Sequence, residues 1–313
     1  MGSGMKKYKI FIDGQSGTTG LEIADRLKER DDLELITIDY EKRHDESERK
    51  ACMERADLVF LCLPDDQARI AAGLCPENTP LIDTSTAHRT AWTYGFADLD
   101  QEHYQSIQNG KRIANPGCHA TGVISLLYPL QKSGLLKKDA VISACSLTGY
   151  TGGGKKMIAD YEQNKKENMQ APKPYGLTLS HKHMPEIKKQ CDLQAPFFLI
   201  PVVDDYPRGM LCTIVIPKQD FEKEVSLEDL RALYRDWYQN RPLISLLDKD
   251  ADPFYAADLA GLDALQIQVN GSDEGVVLQA CFDNLGKGAS GAAIQNMNIV
   301  LGLEETSGLK LHK

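Results

Sequence analysis

Closely spaced cysteine pairs are missing from this sequence. Its eight cysteines, at 52, 62, 75, 118, 145, 191, 212 and 281, form no CxxC pair, and several lie in apolar runs such as Leu58-Val59-Phe60-Leu61-Cys62-Leu63. That is the usage of a reduced, cytoplasmic protein rather than of a disulfide framework. A Lys/Arg-rich block is also missing, and the formal net charge is −9. Nucleic acid and anionic membrane are therefore poor candidates for the main partner. Single Arg residues and helix N-termini can still bind small anions. No apolar run approaches the ~20 residues needed to span a bilayer. No signal peptide is read, and Met1-Gly2-Ser3-Gly4 ahead of Met5 reads as a cloning remnant outside the fold. There is no internal repeat. What remains is a chain of 313 residues, 42% apolar, which suffices for two domains with sizeable cores.

The first third alternates in period. Buried-strand patterns at 7–13, 33–38, 58–63, 80–83 and 111–114 are separated by helical patterns at 18–30, 46–55 and 65–74. Such alternation predicts parallel βαβ units in a doubly wound sheet, with ligands at the carboxyl ends of the strands. After about residue 130 the regularity stops. Strands are expected at 140–147, 197–201, 210–217, 262–269 and 275–282, with a helix at 225–238. This is an α+β domain with a mostly antiparallel mixed sheet. A last helix over 289–303 returns to the first domain. The expected division is 5–117 with a C-terminal helix of about 287–313, and 118–286.

Cys118 stands out for its setting, Asn115-Pro116-Gly117-Cys118-His119-Ala120-Thr121-Gly122, directly ahead of an apolar helical run at 123–130. Pro and Gly force a turn, so a helix should start at or next to the cysteine. A thiol at a helix N-terminus meets the positive end of the dipole, which favours thiolate. The alternative is a small buried residue after a turn. Upstream, Gly14, Gly17 and Gly20 follow the first strand, with Ser16, Thr18 and Thr19 between them. The spacing is GxxGxxG rather than GxGxxG, but a strand precedes it and a helix follows, as a pyrophosphate-binding turn requires. After the second strand Asp39 and Glu41 could hold a ribose 2′-OH, and Arg43 a 2′-phosphate. Both types occur, so the segment does not choose between NAD and NADP. Ser85 and Arg89 follow the fourth strand, as a phosphate grip or as a capped loop with a surface Arg. His181 and His183 alternate, so on an extended segment both point to one side. One could be a general base. A metal site is the rival reading, but no third ligand shows recognisable spacing, and no metal is expected. Arg208, in Pro207-Arg208-Gly209, could bind an anion or sit in an ordinary turn. Asn284 and Gly288 belong to a glycine-rich stretch ahead of the last helix, where a ligand ring could approach closely.

Taken together, these stretches resemble N-acetyl-gamma-glutamyl-phosphate reductases, in the shorter of that family's two variants. The resemblance rests on five features in order along nearly the whole chain. They are the first glycines, Asp83…Ser85…Arg89, the Asn115-Pro116-Gly117-Cys118 box, the His181-Lys182-His183-Met184-Pro185-Glu186 box, and Asp283-Asn284…Gly291…Gln295-Asn296. Aspartate-semialdehyde dehydrogenases share the architecture and the thiol chemistry, and are the nearest competitor. The resemblance implies a Rossmann-type NADP-binding domain and a catalytic domain that also mediates homo-oligomerisation, as dimer or tetramer. It implies NADPH-dependent reduction of a small acyl phosphate in arginine biosynthesis through a Cys118 thioacyl intermediate. His181, with His183 as second choice, would be the acid/base. Ser85, Arg89, Asn115 and Arg208 would meet the substrate. Gly14, Ser16, Gly17, Thr18, Thr19, Gly20, Arg43, Asn284 and Gly288 would meet the cofactor. Many members continue the cysteine box with Tyr-Pro-Thr; here it is His119-Ala120-Thr121. Two other readings use the same residues: a dinucleotide-sensing protein with a silent cysteine, and a cysteine hydrolase built on Cys118 and His181.

Overall fold

The computed structural model describes residues 7–248 and 250–312, and divides into two compact units. The first runs to Ala97 and adds Gln101–Pro116 and Ala289–Leu309; the second holds Asp98–Asp100, Gly117–Gly288 and the residues from Lys310.

The first unit is a six-stranded, wholly parallel sheet. Its strands are β1 (Tyr8–Asp13), β2 (Leu33–Ile36), β3 (Leu58–Leu61), β4 (Leu81–Asp83), β5 (Thr93–Tyr94) and β6 (Arg112–Ala114), in the order β2-β1-β3-β4-β6-β5. Alternate residues of one strand face opposite layers. Ile10 and Ile12 of β1 pack under α1 (Thr18–Lys28), α4 (Gln101–Asn109) and α9 (Gly291–Leu301), where Ile23, Leu27, Ile107 and Met297 fill the core. Phe11 faces the other way, to Met53 of α2 (Glu46–Arg55) and Ala68 and Ala71 of α3 (Asp65–Leu74). The strand order reverses at β1/β3, which puts the Gly14 turn at a topological switch point. The sequence pattern missed α4. Of its nine residues only Ile107 is fully buried, so no apolar stripe marks it.

The second unit is a seven-stranded mixed sheet. Its strands are β7 (Ile142–Gly149), β8 (Lys173–Pro174), β9 (Phe197–Asp204), β10 (Met210–Pro217), β11 (Ile244–Leu246), β12 (Leu265–Gly271) and β13 (Gly275–Phe282), ordered β11-β12-β13-β10-β7-β9-β8. The central pairings are antiparallel, while β7 with β9 and β11 with β12 run parallel. Helices α5 (Cys118–Lys132) and α8 (Leu227–Tyr238) pack against this sheet. On the opposite face Cys145, Ile200 and Val215 are exposed.

Helix α5 is buried from His119 to Leu130. A helix apolar all round belongs in a core. Pro129 lies inside it and cannot donate to the carbonyl of Ser125. The Tyr238 hydroxyl donates to that carbonyl instead, at 2.8 Å, and the Tyr234 hydroxyl donates to the carbonyl of Leu126. Among the described residues no helix is long and apolar enough to cross a membrane.

Candidate active site

In the first unit, Gly14 takes φ +86°, where only glycine is relaxed, and a Cβ there would press on the Cys62 backbone. The Gly17 amide closes the turn on the Gly14 carbonyl at 3.0 Å, and Gly17 is the N-cap of α1 with no side-chain cap. A Cβ on Gly20 would lie 2.7 Å from the Gly14 carbonyl oxygen, so the helix could not pack so closely on the turn. The result is a bare helix start flanked by half-buried Thr18 and Thr19 and exposed Ser16. Asp13, just before the turn, is buried and ion-paired with Arg49 of α2 at 2.7 Å. Burial raises its pKa, against the opposing effect of Arg49. Arg43 lies over the Tyr40 ring, 3.6 Å from its centroid.

At the end of β4 the buried Asp83 is a hub. It accepts from the Ser85 amide and hydroxyl at 2.9 and 2.8 Å and pairs with His88 Nδ1 at 2.6 Å. The His88 ring stacks on Trp92, with centroids 3.8 Å apart. Arg89 is buried, donating from Nε to the Asn115 carbonyl at 2.9 Å and from Nη2 to the Thr84 carbonyl at 3.1 Å. It staples the loop after β4 to the end of β6, rather than standing on the surface. Asn115 donates to the Ala289 carbonyl at 3.0 Å and accepts from Asn296 at 3.1 Å.

In the second unit, Cys118 is the first residue of α5, half-buried, with Gly117 as N-cap. Glu186 is 1% exposed, and its Oε2 accepts from the Gly117 amide at 3.2 Å. The thiol therefore begins a helix whose cap is tied to a buried carboxylate. Gly288 is tight against it: a Cβ there would lie 3.0 Å from Cys118 Cβ. Burial pushes Cys62 up to about 12 and also raises Cys75, Cys145, Cys191 and Cys212.

The histidine segment is not extended, which was the condition for its alternation to put both rings on one side. The Met184 amide bonds the His181 carbonyl at 2.9 Å, and His183 has φ −87° and ψ −7° as the N-cap of α7 (Met184–Gln190). Pro185 in the first turn of α7 favours this early turn. The rings still meet, with centroids 4.7 Å apart. His183 is buried and His181 half-buried. The His181 Nδ1 accepts from the His183 amide at 3.2 Å, so a neutral His181 carries its proton on Nε2.

Arg208 donates from Nε and Nη2 to the buried Asp283 carboxylate at 2.8 and 3.0 Å. Asn284 donates to Thr151 at 2.9 Å and accepts from the Gly209 amide at 2.9 Å. Both side chains clamp loops. Spacing alone also missed Tyr175 and Ser146. The Tyr175 hydroxyl is 2.8 Å from His119 Nε2, and Ser146 Oγ is 2.7 Å from His119 Nδ1. No local pattern marks either; only the register of β7 and the path beyond β8 bring them to α5.

Comparison with known proteins places these features. Residues 118–284 match the family described as "Semialdehyde dehydrogenase, dimerisation domain". The N-acetyl-gamma-glutamyl-phosphate reductase of Rhizobium meliloti is 41% identical over 307 residues, covering 94% of this chain and 99% of its own. N-acetyl-gamma-glutamyl-phosphate reductase 2 of a Nostoc species is 39% identical over 322 residues, covering 97% and 100%. Among solved structures, aspartate semialdehyde dehydrogenase with NADP from Candida albicans matches with a TM-score of 0.69 at 16% identity, covering 95% of this chain and 99% of that one. That likeness bears out the fold, a Rossmann-type unit with an α+β unit. The near-complete coverage at about 40% identity carries more: this chain is an oxidoreductase that belongs to the N-acetyl-gamma-glutamyl-phosphate reductase family.

Proposed function

We propose that the protein reduces N-acetyl-gamma-glutamyl phosphate to N-acetylglutamate 5-semialdehyde and phosphate in arginine biosynthesis, with NADPH as reductant and Cys118 as nucleophile. The observation that carries the reading is Cys118 at the first position of a buried helix, in the unit that also presents the His181/His183 pair. The Cys118 thiolate attacks the acyl carbon; the carbon–oxygen bond to phosphate breaks, and a thioester remains on the sulfur. A bound nicotinamide supplies the hydride that takes this thioester to the aldehyde level. His181, through Nε2, steadies the oxygen of the tetrahedral adduct with a proton and takes it back as the carbon–sulfur bond breaks. The more buried His183 serves as its neighbour.

The Gly14–Gly20 turn fits the cofactor, because the uncapped start of α1 and the missing side chains leave room for a pyrophosphate. In this reading the first unit is the NADP-binding domain, and Ser16, Thr18, Thr19 and Arg43 line its phosphates. Asn284 and Gly288 flank the nicotinamide. Ser85, Arg89, Asn115 and Arg208 are the substrate-side polar groups, and the bonds each already makes set how they reach the phosphoryl group. The second unit pairs copies of the chain through the open face carrying Cys145, Ile200 and Val215. The test is phosphate-dependent NADP⁺ reduction with N-acetylglutamate semialdehyde, run beside aspartate semialdehyde. Preference for the acetylated substrate is expected. Equal or reversed preference would move the protein to another acyl phosphate.

A further inference from the structure

Asp98, Leu99 and Asp100 follow β5 in the chain, and all three belong to the second unit. Each is tied to a different element there. Asp98 is ion-paired with Lys287, and the two side chains are 0% and 1% exposed. Trp237 Nε1, on α8, donates to the Leu99 carbonyl at 2.7 Å. The Tyr128 hydroxyl, on α5, donates to the Asp100 carboxylate. The Tyr128 and Trp237 rings also meet edge-on, with centroids 6.1 Å apart.

Lys287 lies in a π-helical turn, Gly286–Ser290, where the Gly288 amide donates to the Asp283 carbonyl at 2.9 Å. Turns of this type are rare and are frequent at functional sites. Gly288 is also the residue packed tightly on Cys118. The contacts therefore close a ring. From Cys118, α5 runs ten residues, about 15 Å, to Tyr128. Tyr128 holds Asp100, Asp98 holds Lys287, and Gly288 returns to Cys118. A buried ion pair is a poor source of stability, because desolvation offsets most of its attraction. What the pair does supply is a fixed length and direction, since drawing Lys287 away would leave two charges buried apart.

We propose that Asp98 and Lys287 are positioning residues for the nucleophile: their ion pair holds the Gly286–Gly288 turn against Cys118 and so keeps the sulfur at the start of α5. This inference rests on Cys118 being the nucleophile. Neither charged group meets the substrate in this role; both act through the backbone of Gly288. A loosened turn would let the cysteine side chain rotate away from the N–H groups of the first helical turn, which favour thiolate.

The test compares the parent with the double variant D98L/K287M and with Y128F. The double variant removes both charges together, so most of the stability should be kept. Melting temperature is recorded for each protein. Cys118 alkylation by iodoacetamide is followed against pH by mass spectrometry of the Cys118 peptide. In D98L/K287M the apparent thiol pKa should rise by about half a unit, slowing labelling about threefold at pH 7. Its kcat should fall about tenfold, with KM for the semialdehyde unchanged. Y128F keeps the ring and loses the hydroxyl that holds Asp100, so both readouts should shift the same way by a smaller amount. Either variant, folded, with the labelling profile and kcat of the parent would overturn the positioning role, as would a loss confined to melting temperature. Parent Cys118 labelling no faster than the other cysteines would instead overturn the nucleophile reading beneath it.

Discussion

Replacing Arg49 with Met should destabilise the first unit by an amount that acid partly returns. The Arg49 and Asp13 side chains are both 5% exposed, and the guanidinium makes three close contacts with the carboxylate, at 2.7, 3.1 and 3.2 Å. Met keeps much of the apolar stem, so the main loss is the charge partner. An unpaired buried carboxylate typically costs about 3–5 kcal/mol. Asp13 can limit that cost by taking up a proton. From the reference pKa of 3.8, protonation at pH 7 costs about 4.4 kcal/mol, and at pH 5 about 1.6 kcal/mol. The expected loss is therefore about 3–4 kcal/mol at pH 7, shrinking by up to about 2.7 kcal/mol at pH 5. The sign follows from burial raising the Asp13 pKa: the folded state binds the proton more readily than the unfolded chain, so lowering pH favours folding of the variant. Urea unfolding at both pH values measures the difference. A loss under 1 kcal/mol at pH 7, or a deficit unchanged at pH 5, would refute the reasoning. The double variant D13L/R49M should recover most of the loss, since neither charge then remains buried alone.

Cys118→Ser should retain NADPH binding by fluorescence titration while losing reductase activity by about 10³-fold or more; appreciable residual turnover would remove Cys118 from the mechanism. Gly288→Ala puts a Cβ 3.0 Å from both Cys118 Cβ and the Asp283 carbonyl oxygen, so kcat should fall about 10- to 100-fold as the thiol is displaced, measured by steady-state kinetics. His119 is held neutral down to about pH 3, whereas an unfolded histidine takes its proton near 6.5, so stability is lost as pH falls below about 6.5. His119→Gln should flatten the acid side of a stability–pH curve by up to about 1.4 kcal/mol per pH unit, and an unchanged slope would show that His119 does not titrate this way.

How much was legible in the sequence depends on where the determining contacts lie. The βα alternation of the first third was readable because buried parallel strands and amphipathic helices differ in period over a few residues. The expected start of a helix at Cys118 needed only Pro116 and Gly117, and α5 begins there. Whether the histidine segment is extended stayed open in the sequence, because alternation shows which residues could share a face, not which backbone they adopt. The Met184-to-His181 turn and Pro185 decide the backbone. For Arg89 and Arg208 the sequence left an anion-binding and a structural reading both open, because it shows a charge without its distant partners: Asn115 and Asp283 lie 26 and 75 residues away.

By itself, then, the sequence determined features set by near neighbours: the parallel α/β half, the glycine turn ahead of α1, and a cysteine at the head of a buried helix. Only the tertiary structure decided which groups surround that cysteine. Glu186, Ser146 and Tyr175 reach the segment around it through chain separations of 69, 27 and 56 residues. Strand pairing and helix docking bring them together, and long-range contacts of that kind leave no local pattern in the chain.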